Sequence, residues 1–177
     1  EDLESVRRFV ADFRERYDRL DLLINNAGIM MPPYGKTAQG FETQFGVNHL
    51  GHFALTGWLL DLLLQTPGSR VVTVSSTSHR FGQIDFEDLQ WENRDYKRNA
   101  AYGQSKLANL LFTYELQRKL QAAGKGTKAV AAHPGWTATN LQKHAGLIDY
   151  FNRFLAQSPE MGALPTLLAA TEPEVQG

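Results

Sequence analysis

The chain has 177 residues, of which 42% are hydrophobic and 21% are charged, a composition typical of one globular domain. Eighteen basic and 19 acidic side chains give a formal net charge of −1, so nothing indicates a nucleic-acid-binding protein. Cysteine is absent, which excludes disulfides, thiolate metal sites and a cysteine nucleophile. The longest apolar run, 55–64, is too short to span a membrane, and we expect a cytoplasmic location.

The spacing of apolar residues alternates between helical and strand patterns along the chain. Steps of three and four predict amphipathic helices, and short β-branched runs predict strands. The resulting order is helix, strand, helix, strand, helix, strand, helix, which is typical of a parallel α/β sheet. In chain order the predicted elements cover residues 3–17, 20–24, 46–65, 69–75, 101–123, 128–132 and 158–168.

Three further expectations concern individual elements. The strand at 20–24 has a continuous apolar pattern, which predicts burial on both faces. The helix at 101–123 carries one apolar stripe, and the charged run from 85 to 98 is interpreted as a solvated surface. The stripe consists of Leu107, Leu110, Leu111 and Tyr114.

Tyr102 and Lys106 stand at positions i and i+4 of a predicted helix, so their side chains share one face. The ordinary pKa of tyrosine is about 10, and a nearby cation favours the phenolate. Such a phenol could exchange a proton with a substrate hydroxyl. An exposed tyrosine and lysine on a solvated helix would show the same spacing, so the spacing alone does not decide.

Polar residues also follow the predicted strands. Ser75 and Ser76 end the valine-rich strand, where a hydroxyl could bind a substrate oxygen because ligands lie at the carboxyl ends of parallel strands. Serines also terminate strands without any such role. The turn 25–28, with the sequence Asn-Asn-Ala-Gly, is open to the same two interpretations.

Three polar residues mark the start of the second predicted helix. Asn48 is a poor helix former, which invites a functional explanation. His49 and His52 have a spacing that metal ligands can use, but no acidic or cysteine partner is nearby. We therefore interpret both histidines as packing or interface residues and expect no metal site.

These features, taken in chain order, resemble the short-chain dehydrogenase/reductase family. That family has an Asn-Asn-Ala-Gly turn, an active-site Asn, a strand-end Ser, a Tyr-x-x-x-Lys motif and a Pro-Gly turn. The matching positions are Asn25 to Gly28, Asn48, Ser76, Tyr102 with Lys106, and Pro134 with Gly135. The retinol-dehydrogenase-like branch is similar in residues 47–53, 105–109 and 133–135.

The resemblance implies a partial doubly wound, Rossmann-like parallel sheet with helices on both faces. It also implies an NAD(P)-dependent oxidoreductase that interconverts an alcohol and a carbonyl by hydride transfer. Tyr102 would be the general acid and base, and Lys106 would lower the tyrosine's pKa and bind the nicotinamide ribose. Ser76 would hold the substrate oxygen, and Asn48 would anchor a water for proton relay.

The resemblance also implies a set of cofactor contacts. Besides Tyr102 and Lys106, one group would line the adenosine side and another would close over the nicotinamide carboxamide. These groups are Asn25, Ala27 and Gly28, and then Pro134, Gly135, Thr137 and Thr139. NADP is slightly favoured over NAD by the branch that the chain resembles.

The expected partner is a small alcohol or carbonyl compound, possibly apolar in character, and not a nucleic acid. Four aromatic residues near the Pro-Gly turn could form an apolar substrate lid or could be core residues. They are Trp136, Tyr150, Phe151 and Phe154. Family members commonly pair through the helices that begin near Asn48 and carry Tyr102, so we expect a homodimer or homotetramer of the full-length protein.

One departure from the family is clear: no Gly-x-x-x-Gly-x-Gly turn is present in the sequence. We therefore expect residues 1–177 to form a single partial domain that lacks the N-terminal glycine-rich cofactor half. Two alternatives stay open. Nucleotide-sugar epimerases and dehydratases also use Tyr-x-x-x-Lys, and a catalytically silent fragment or a binding or sensor protein could share the fold.

Overall fold

The computed structural model describes residues 2–135 and 158–175 of the chain. Strands and helices alternate in it as the sequence predicts. In chain order they are α1 (Leu3–Arg16), β1 (Leu22–Asn25), α2 (Thr43–Phe45, Gly46–Leu50 and Gly51–Gln65, one continuous helix), β2 (Arg70–Val74), a 3₁₀ helix (Thr77–Phe81), α3 (Arg98–Ala122), β3 (Lys128–Ala132) and α4 (Pro159–Thr171). Within the described ranges, no helix is long and apolar enough to span a membrane.

The three strands form a parallel sheet in the order β1–β2–β3. Every residue of β2 is buried because it lies between two strands and two helical layers. Val71 packs with Leu63 of α2, whereas the next residue, Val72, packs with Ala169 of α4. Successive side chains of a strand point to opposite faces, so helices cover both faces of the sheet. The predicted doubly wound α/β fold is confirmed.

Two helices begin earlier than the sequence predicts. The helix expected at 46–65 begins at Thr43, because the buried carboxylate of Glu42 accepts hydrogen bonds from the main-chain N–H groups of Gln44 and Phe45, each at 2.8 Å. A side chain that satisfies free N–H groups in this way fixes a helix N-terminus. The long helix begins at Arg98 and not at 101.

The prediction that the first strand is buried on both faces is wrong. Leu23 and Asn25 of β1 are buried, but Leu22 and Ile24 are 41% and 40% exposed. β1 is an edge strand of the described sheet, and its second face is not covered by another described element. A continuous apolar run therefore does not distinguish a central strand from an edge strand here.

The face that α3 buries is polar. The side chains of α3 that face the sheet and α2 carry amide, hydroxyl and ammonium groups, and the predicted leucine stripe lies on the more exposed side. The buried polar residues are Gln104, Ser105, Lys106, Asn109 and Thr113. Burying polar groups is unfavourable unless they are hydrogen-bonded, so this face has a role beyond packing.

The interpretation of the charged run 85–98 as a solvated surface is also wrong in part. Trp91 is buried, and its indole N–H donates to Gln104 Oε1 at 3.2 Å. The Arg94 guanidinium lies 3.8 Å from the Trp91 ring centroid and forms ion pairs with Asp85 and Asp88. The segment is therefore attached to α3 through an aromatic anchor, a contact that charge counting does not reveal.

Candidate active site

Asn48 lies in a π-helical turn of α2, at Gly46–Leu50. There the Gly51 N–H donates to the Gly46 carbonyl, five residues earlier, and such turns are frequent at functional sites. The Asn48 amide is completely buried. Its Oδ1 accepts from the Ile29 N–H at 2.8 Å, and its Nδ2 donates to the Ile29 carbonyl and to Ser105 Oγ, each at 3.0 Å. Asn48 therefore connects the loop after β1 with α3.

Tyr102 and Lys106 lie on the first turns of α3 and point to the same side. Both are buried, with exposed fractions of 5% and 4%, so the interpretation as an exposed surface pair is wrong. Lys106 Nζ lies 5.7 Å from the centroid of the Tyr102 ring. It donates to the carbonyl of Val74, the last residue of β2, at 3.2 Å. The helix thus holds an ammonium group at the carboxyl end of the central strand.

The two serines after β2 have different environments. Ser75 is buried and donates to the Lys106 carbonyl at 2.8 Å, so it attaches β2 to α3. Ser76 is half-buried and caps the 3₁₀ helix, where its Oγ accepts from the Ser78 N–H at 3.2 Å. The Ser76 side chain also lies close enough to the Tyr102 phenol to lower its pKa. Ser76 therefore caps a helix and contacts the candidate acid.

Burial controls the protonation of this site. Burial raises the pKa of the Tyr102 phenol, and the nearby Ser76 side chain acts in the opposite direction. Burial also lowers the pKa of Lys106 to about 8, since a low-dielectric environment disfavours the charged form of each group. At neutral pH the arrangement therefore presents a protonated phenol beside an ammonium group, which suits proton donation to an oxygen atom.

The turn after β1 has space and polar groups for a ligand. Asn25 is buried, and its Nδ2 donates to Thr56 Oγ1 at 3.0 Å, but its Oδ1 has no hydrogen-bond partner among the described residues. A cavity of about 320 Å³ is lined by Ala27, Val47 and His52, among others. A Cβ atom at Gly28 would lie 3.1 Å from Asn48 Oδ1 and 3.8 Å from Lys106 Nζ. The unpaired acceptor and the absence of side-chain bulk at Gly28 fit a hydroxyl group of a dinucleotide. The cavity lies mainly between α1, the loop 37–41 and α2, and none of the four candidate catalytic residues lines it.

The predicted cofactor contacts at the end of β3 are described only in part. Pro134 and Gly135 follow β3 after one intervening residue, His133. The last carbonyl of β3, that of Ala132, accepts from the Ser75 N–H at 2.9 Å. Pro134 and Gly135 therefore lie beside the serines that follow β2. The remaining expected residues lie outside the described part of the chain. They are Thr137, Thr139, Trp136, Tyr150, Phe151 and Phe154.

Three polar residues that the sequence analysis did not assign to the site also contact it, among them the two histidines interpreted as packing or interface residues. His52 is buried, and its Nδ1 lies 2.9 Å from the Asn48 carbonyl. His49 Nδ1 lies 3.1 Å from Asn109 Oδ1, and Asn109 Nδ2 donates to the same Val74 carbonyl as Lys106, at 3.2 Å. Burial and the charge on Lys106 together lower the pKa of His52 to about 4. The signal in the sequence was the helical spacing, since Asn109 is three residues from Lys106 and His52 is four residues from Asn48.

Comparison with known proteins agrees with this geometry. The family described as short chain dehydrogenase matches residues 1–88. Human retinol dehydrogenase 13 is 48% identical over 180 residues, which cover 96% of this chain and 54% of that protein. Human retinol dehydrogenase 12 is 52% identical over 147 residues, or 83% of this chain and 46% of that protein. The chain belongs to the short-chain dehydrogenase/reductase family.

Solved structures share the fold of this short-chain dehydrogenase/reductase. A crystal structure of an uncharacterised protein from Mycobacterium paratuberculosis is 49% identical, with a TM-score of 0.78 over 98% of this chain and 57% of that chain. A complex of RhlG with NADP from Pseudomonas aeruginosa shares the fold, with a TM-score of 0.67 at 24% identity, over 96% of this chain and 66% of that chain. The chain spans about half the length of the curated relatives that it matches.

Proposed function

We propose that the full-length protein is an NAD(P)-dependent oxidoreductase that interconverts an alcohol and a carbonyl compound. The observation that carries this proposal is the burial of Tyr102 and Lys106 side by side, next to Ser76 and Asn48. A buried ammonium group without a functional role is costly, and among the described residues Lys106 forms no ion pair that would offset this cost.

In the direction of carbonyl reduction, Tyr102 acts as the acid. Its phenol donates a proton to the substrate oxygen, and Ser76 Oγ donates a hydrogen bond that holds and polarises the same oxygen. The Lys106 ammonium stabilises the phenolate that remains. In alcohol oxidation the same groups act in reverse, and Tyr102 takes the hydroxyl proton. Asn48 orders the Ile29 main chain beside Lys106 and is proposed to anchor the water of a proton relay.

A bound nicotinamide cofactor would supply the hydride for carbonyl reduction in its reduced form, NADH or NADPH, and would accept the hydride of the alcohol in its oxidised form. Asn25, Ala27 and Gly28 are proposed to hold its adenosine side, and Lys106 its nicotinamide ribose. Pro134 and Gly135, with Thr137 and Thr139, are proposed to contact the carboxamide. We favour NADP over NAD, as in the family's retinol-dehydrogenase-like branch, and the similar RhlG structure was solved with NADP.

The substrate is proposed to be an apolar alcohol or aldehyde. The curated relatives named retinol dehydrogenase and polyprenol dehydrogenase carry long apolar alcohols in their names; human polyprenol dehydrogenase is 44% identical over 99% of this chain and 56% of that protein. The sequence contains no Gly-x-x-x-Gly-x-Gly turn. Residues 1–177 are therefore proposed to be the catalytic part of a single domain whose glycine-rich pyrophosphate site lies outside this sequence.

Replacing Tyr102 with phenylalanine tests the proposal in the full-length protein. The change removes only the phenolic oxygen, so the rate of aldehyde reduction should fall by about 10²-fold or more, while thermal unfolding stays close to that of the parent. Initial rates of NADPH and NADH oxidation with a panel of apolar aldehydes and ketones measure the effect. Tyr114→Phe, at an exposed position of the same helix, is the matched control and should keep the parent rate.

Two results would contradict the proposed function. Near-normal turnover of Tyr102→Phe would remove the tyrosine from the reaction. Binding of NADP without turnover of any alcohol or carbonyl in the panel would instead favour a binding or sensor protein of the same fold.

A further inference from the structure

The carbonyl of Val74 binds two side chains of α3. Lys106 Nζ and Asn109 Nδ2 each donate to it at 3.2 Å, and both residues are almost completely buried. The two donors are three residues apart, so they lie on one face of the helix. The ammonium group and the amide therefore share one acceptor at the end of the central strand.

An asparagine amide can present either its NH₂ group or its oxygen to a neighbour. If Asn109 were reversed, its Oδ1 would face the Val74 carbonyl and would lie close to the ammonium group that this carbonyl binds. Two facing carbonyl oxygens repel each other, but the ammonium would gain an acceptor. The orientation of Asn109 therefore decides how well the charge on Lys106 is stabilised.

His49 is in position to fix that orientation. Its Nδ1 lies 3.1 Å from Asn109 Oδ1, a contact that is a hydrogen bond only if Nδ1 carries a proton. Burial lowers the pKa of His49, with the bond to Asn109 acting in the opposite direction, so the ring is neutral at pH 7. Because Nδ1 faces an amide oxygen, which can only accept, we assign the proton of the neutral ring to Nδ1. The ring itself is packed against Phe45, Phe53 and Phe112, with centroid distances of 5.2, 6.1 and 6.1 Å.

We propose that His49 and Asn109 form a positioning pair for Lys106. The Nδ1–H of His49 holds the Asn109 oxygen, so that the NH₂ group of Asn109, and not its oxygen, faces the carbonyl that binds the Lys106 ammonium. The effect that we expect on catalysis rests on the proposed function. It adds to that function two residues outside the expected catalytic set, and neither contacts the reacting atoms.

Other titratable groups also lie near Lys106, but none of them fixes the orientation of Asn109. They are Tyr102 on α3, His52 on α2 and His133 after β3. The charge on Lys106 lowers the pKa of both His52 and His133. Within the described residues no carboxylate forms an ion pair with Lys106. The polar groups around its charge therefore change when the Asn109 amide rotates.

The test compares two substitutions of His49 in the full-length protein. His49→Phe keeps an aromatic ring between its neighbours but removes the donor to Asn109. His49→Asn loses the ring but retains an N–H donor at the δ position. The titration of Lys106, followed by NMR of ¹³C-labelled lysine and assigned with Lys106→Arg, is measured without cofactor or substrate. We expect His49→Phe to raise the pKa of Lys106 by about one unit, and His49→Asn to restore the parent value.

A second measurement tests whether His49 acts through Asn109. In a background of Asn109→Leu, changing His49 to Phe or Asn should leave the Lys106 titration unchanged, because His49 acts through Asn109. The pH at which kcat/KM for the cofactor falls should shift with the NMR value, and KM for the carbonyl substrate should change less than twofold.

Three outcomes would overturn the inference. They are an unchanged Lys106 titration in His49→Phe, an equal effect of His49→Phe and His49→Asn, and a further effect of His49→Phe in the Asn109→Leu background. The second outcome would assign His49 to packing alone. Absence of oxidoreductase activity would contradict the proposed function instead, since the NMR titration requires no turnover.

Discussion

At the residue scale, the central fact is a lysine that is charged and buried. Lys106 has one main-chain acceptor, the Val74 carbonyl, and its pKa is lowered to about 8 by burial. The ordinary pKa of lysine is about 10.4. The ammonium group is therefore present at neutral pH but is lost within the range in which enzymes are assayed.

Lys106 should impose a decrease in catalytic efficiency at alkaline pH. Because burial lowers the folded-state pKa, the cation is lost as the pH rises through about 8, and its proposed roles at the ribose and beside Tyr102 are lost with it. We expect kcat/KM for the cofactor, measured by initial rates between pH 6 and 10, to fall above this pH. Lys106→Arg, which stays charged, should show a lower but flatter profile. A parent profile that stays level up to pH 10 would contradict the proposed role of the Lys106 ammonium group.

The sequence identifies the residues proposed to carry the chemistry but not their hydrogen-bond partners. Tyr102, Lys106, Ser76 and Asn48 have characteristic spacings and strand-end positions, and the structure brings them together. The contact of His49 with Asn109 joins residues 60 positions apart. Such a pair has no local signature, because it depends on how two helices pack and on which side of each ring or amide faces the other.

At the scale of elements, the site depends on a close contact between the 3₁₀ helix and α3. A Cβ atom at Gly103 would lie 2.8 Å from the Ser78 carbonyl oxygen, and one at Gly82 would lie 2.3 Å from the Gly103 carbonyl oxygen. Distances this short cannot be accommodated without moving the main chain. The two glycines therefore allow the segment that begins at Ser76 to lie directly against the helix of Tyr102.

Gly103→Ala should separate these elements. Alanine ordinarily stabilises a helix relative to glycine by up to about 1 kcal/mol, but here the added methyl group contacts main-chain atoms. We expect a net loss of about 1–3 kcal/mol in the free energy of unfolding and a fall in kcat, measured by urea unfolding and initial rates. In Gly126→Ala, nothing lies within 4 Å of the new methyl group, so its stability should equal or slightly exceed that of the parent. Equal stability of the two variants would contradict the contact.

The elements themselves are well predicted by periodicity, but the orientation of α3 is not. Apolar spacing locates the helix and its leucine stripe. The usual rule that the apolar stripe faces the core would bury Leu111. The structure instead buries Asn109 and Thr113, whose polar groups bond to main-chain carbonyls. Hydropathy counts apolar area alone, so it cannot find a helix whose buried face is held by hydrogen bonds.

At the scale of the whole molecule, the exposed sides of α2 and α3 form one apolar surface. We call it the aromatic face. It consists of Phe53 of α2 and Phe112 of α3, whose rings are in contact. Phe53 is 54% exposed, and its ring lies 5.5 Å from that of Phe112. Contiguous apolar surfaces of this kind commonly mark interfaces between proteins.

We expect the full-length protein to form a homodimer or homotetramer through the aromatic face. Phe53→Glu places a charge at the centre of that face and should weaken association at least tenfold, equivalent to about 1.4 kcal/mol, as measured by light scattering across a concentration series. Phe81→Glu alters an exposed phenylalanine on the 3₁₀ helix and should leave the molar mass unchanged. A monomeric parent protein, or equal effects of the two variants, would contradict this interface.

The aromatic face and the surroundings of the buried ammonium meet on α3, because Lys106 and Phe112 each lie three residues from Asn109 and residues at that spacing are neighbours on a helix surface. His49 of α2 contacts both, because its ring contacts Phe53 and Phe112 and its Nδ1 contacts Asn109. Association of two copies would thus confine a ring that is hydrogen-bonded to the surroundings of Lys106. In such an arrangement the activity of each copy would depend on protein concentration, because dilution that separates the copies would also release the His49 ring.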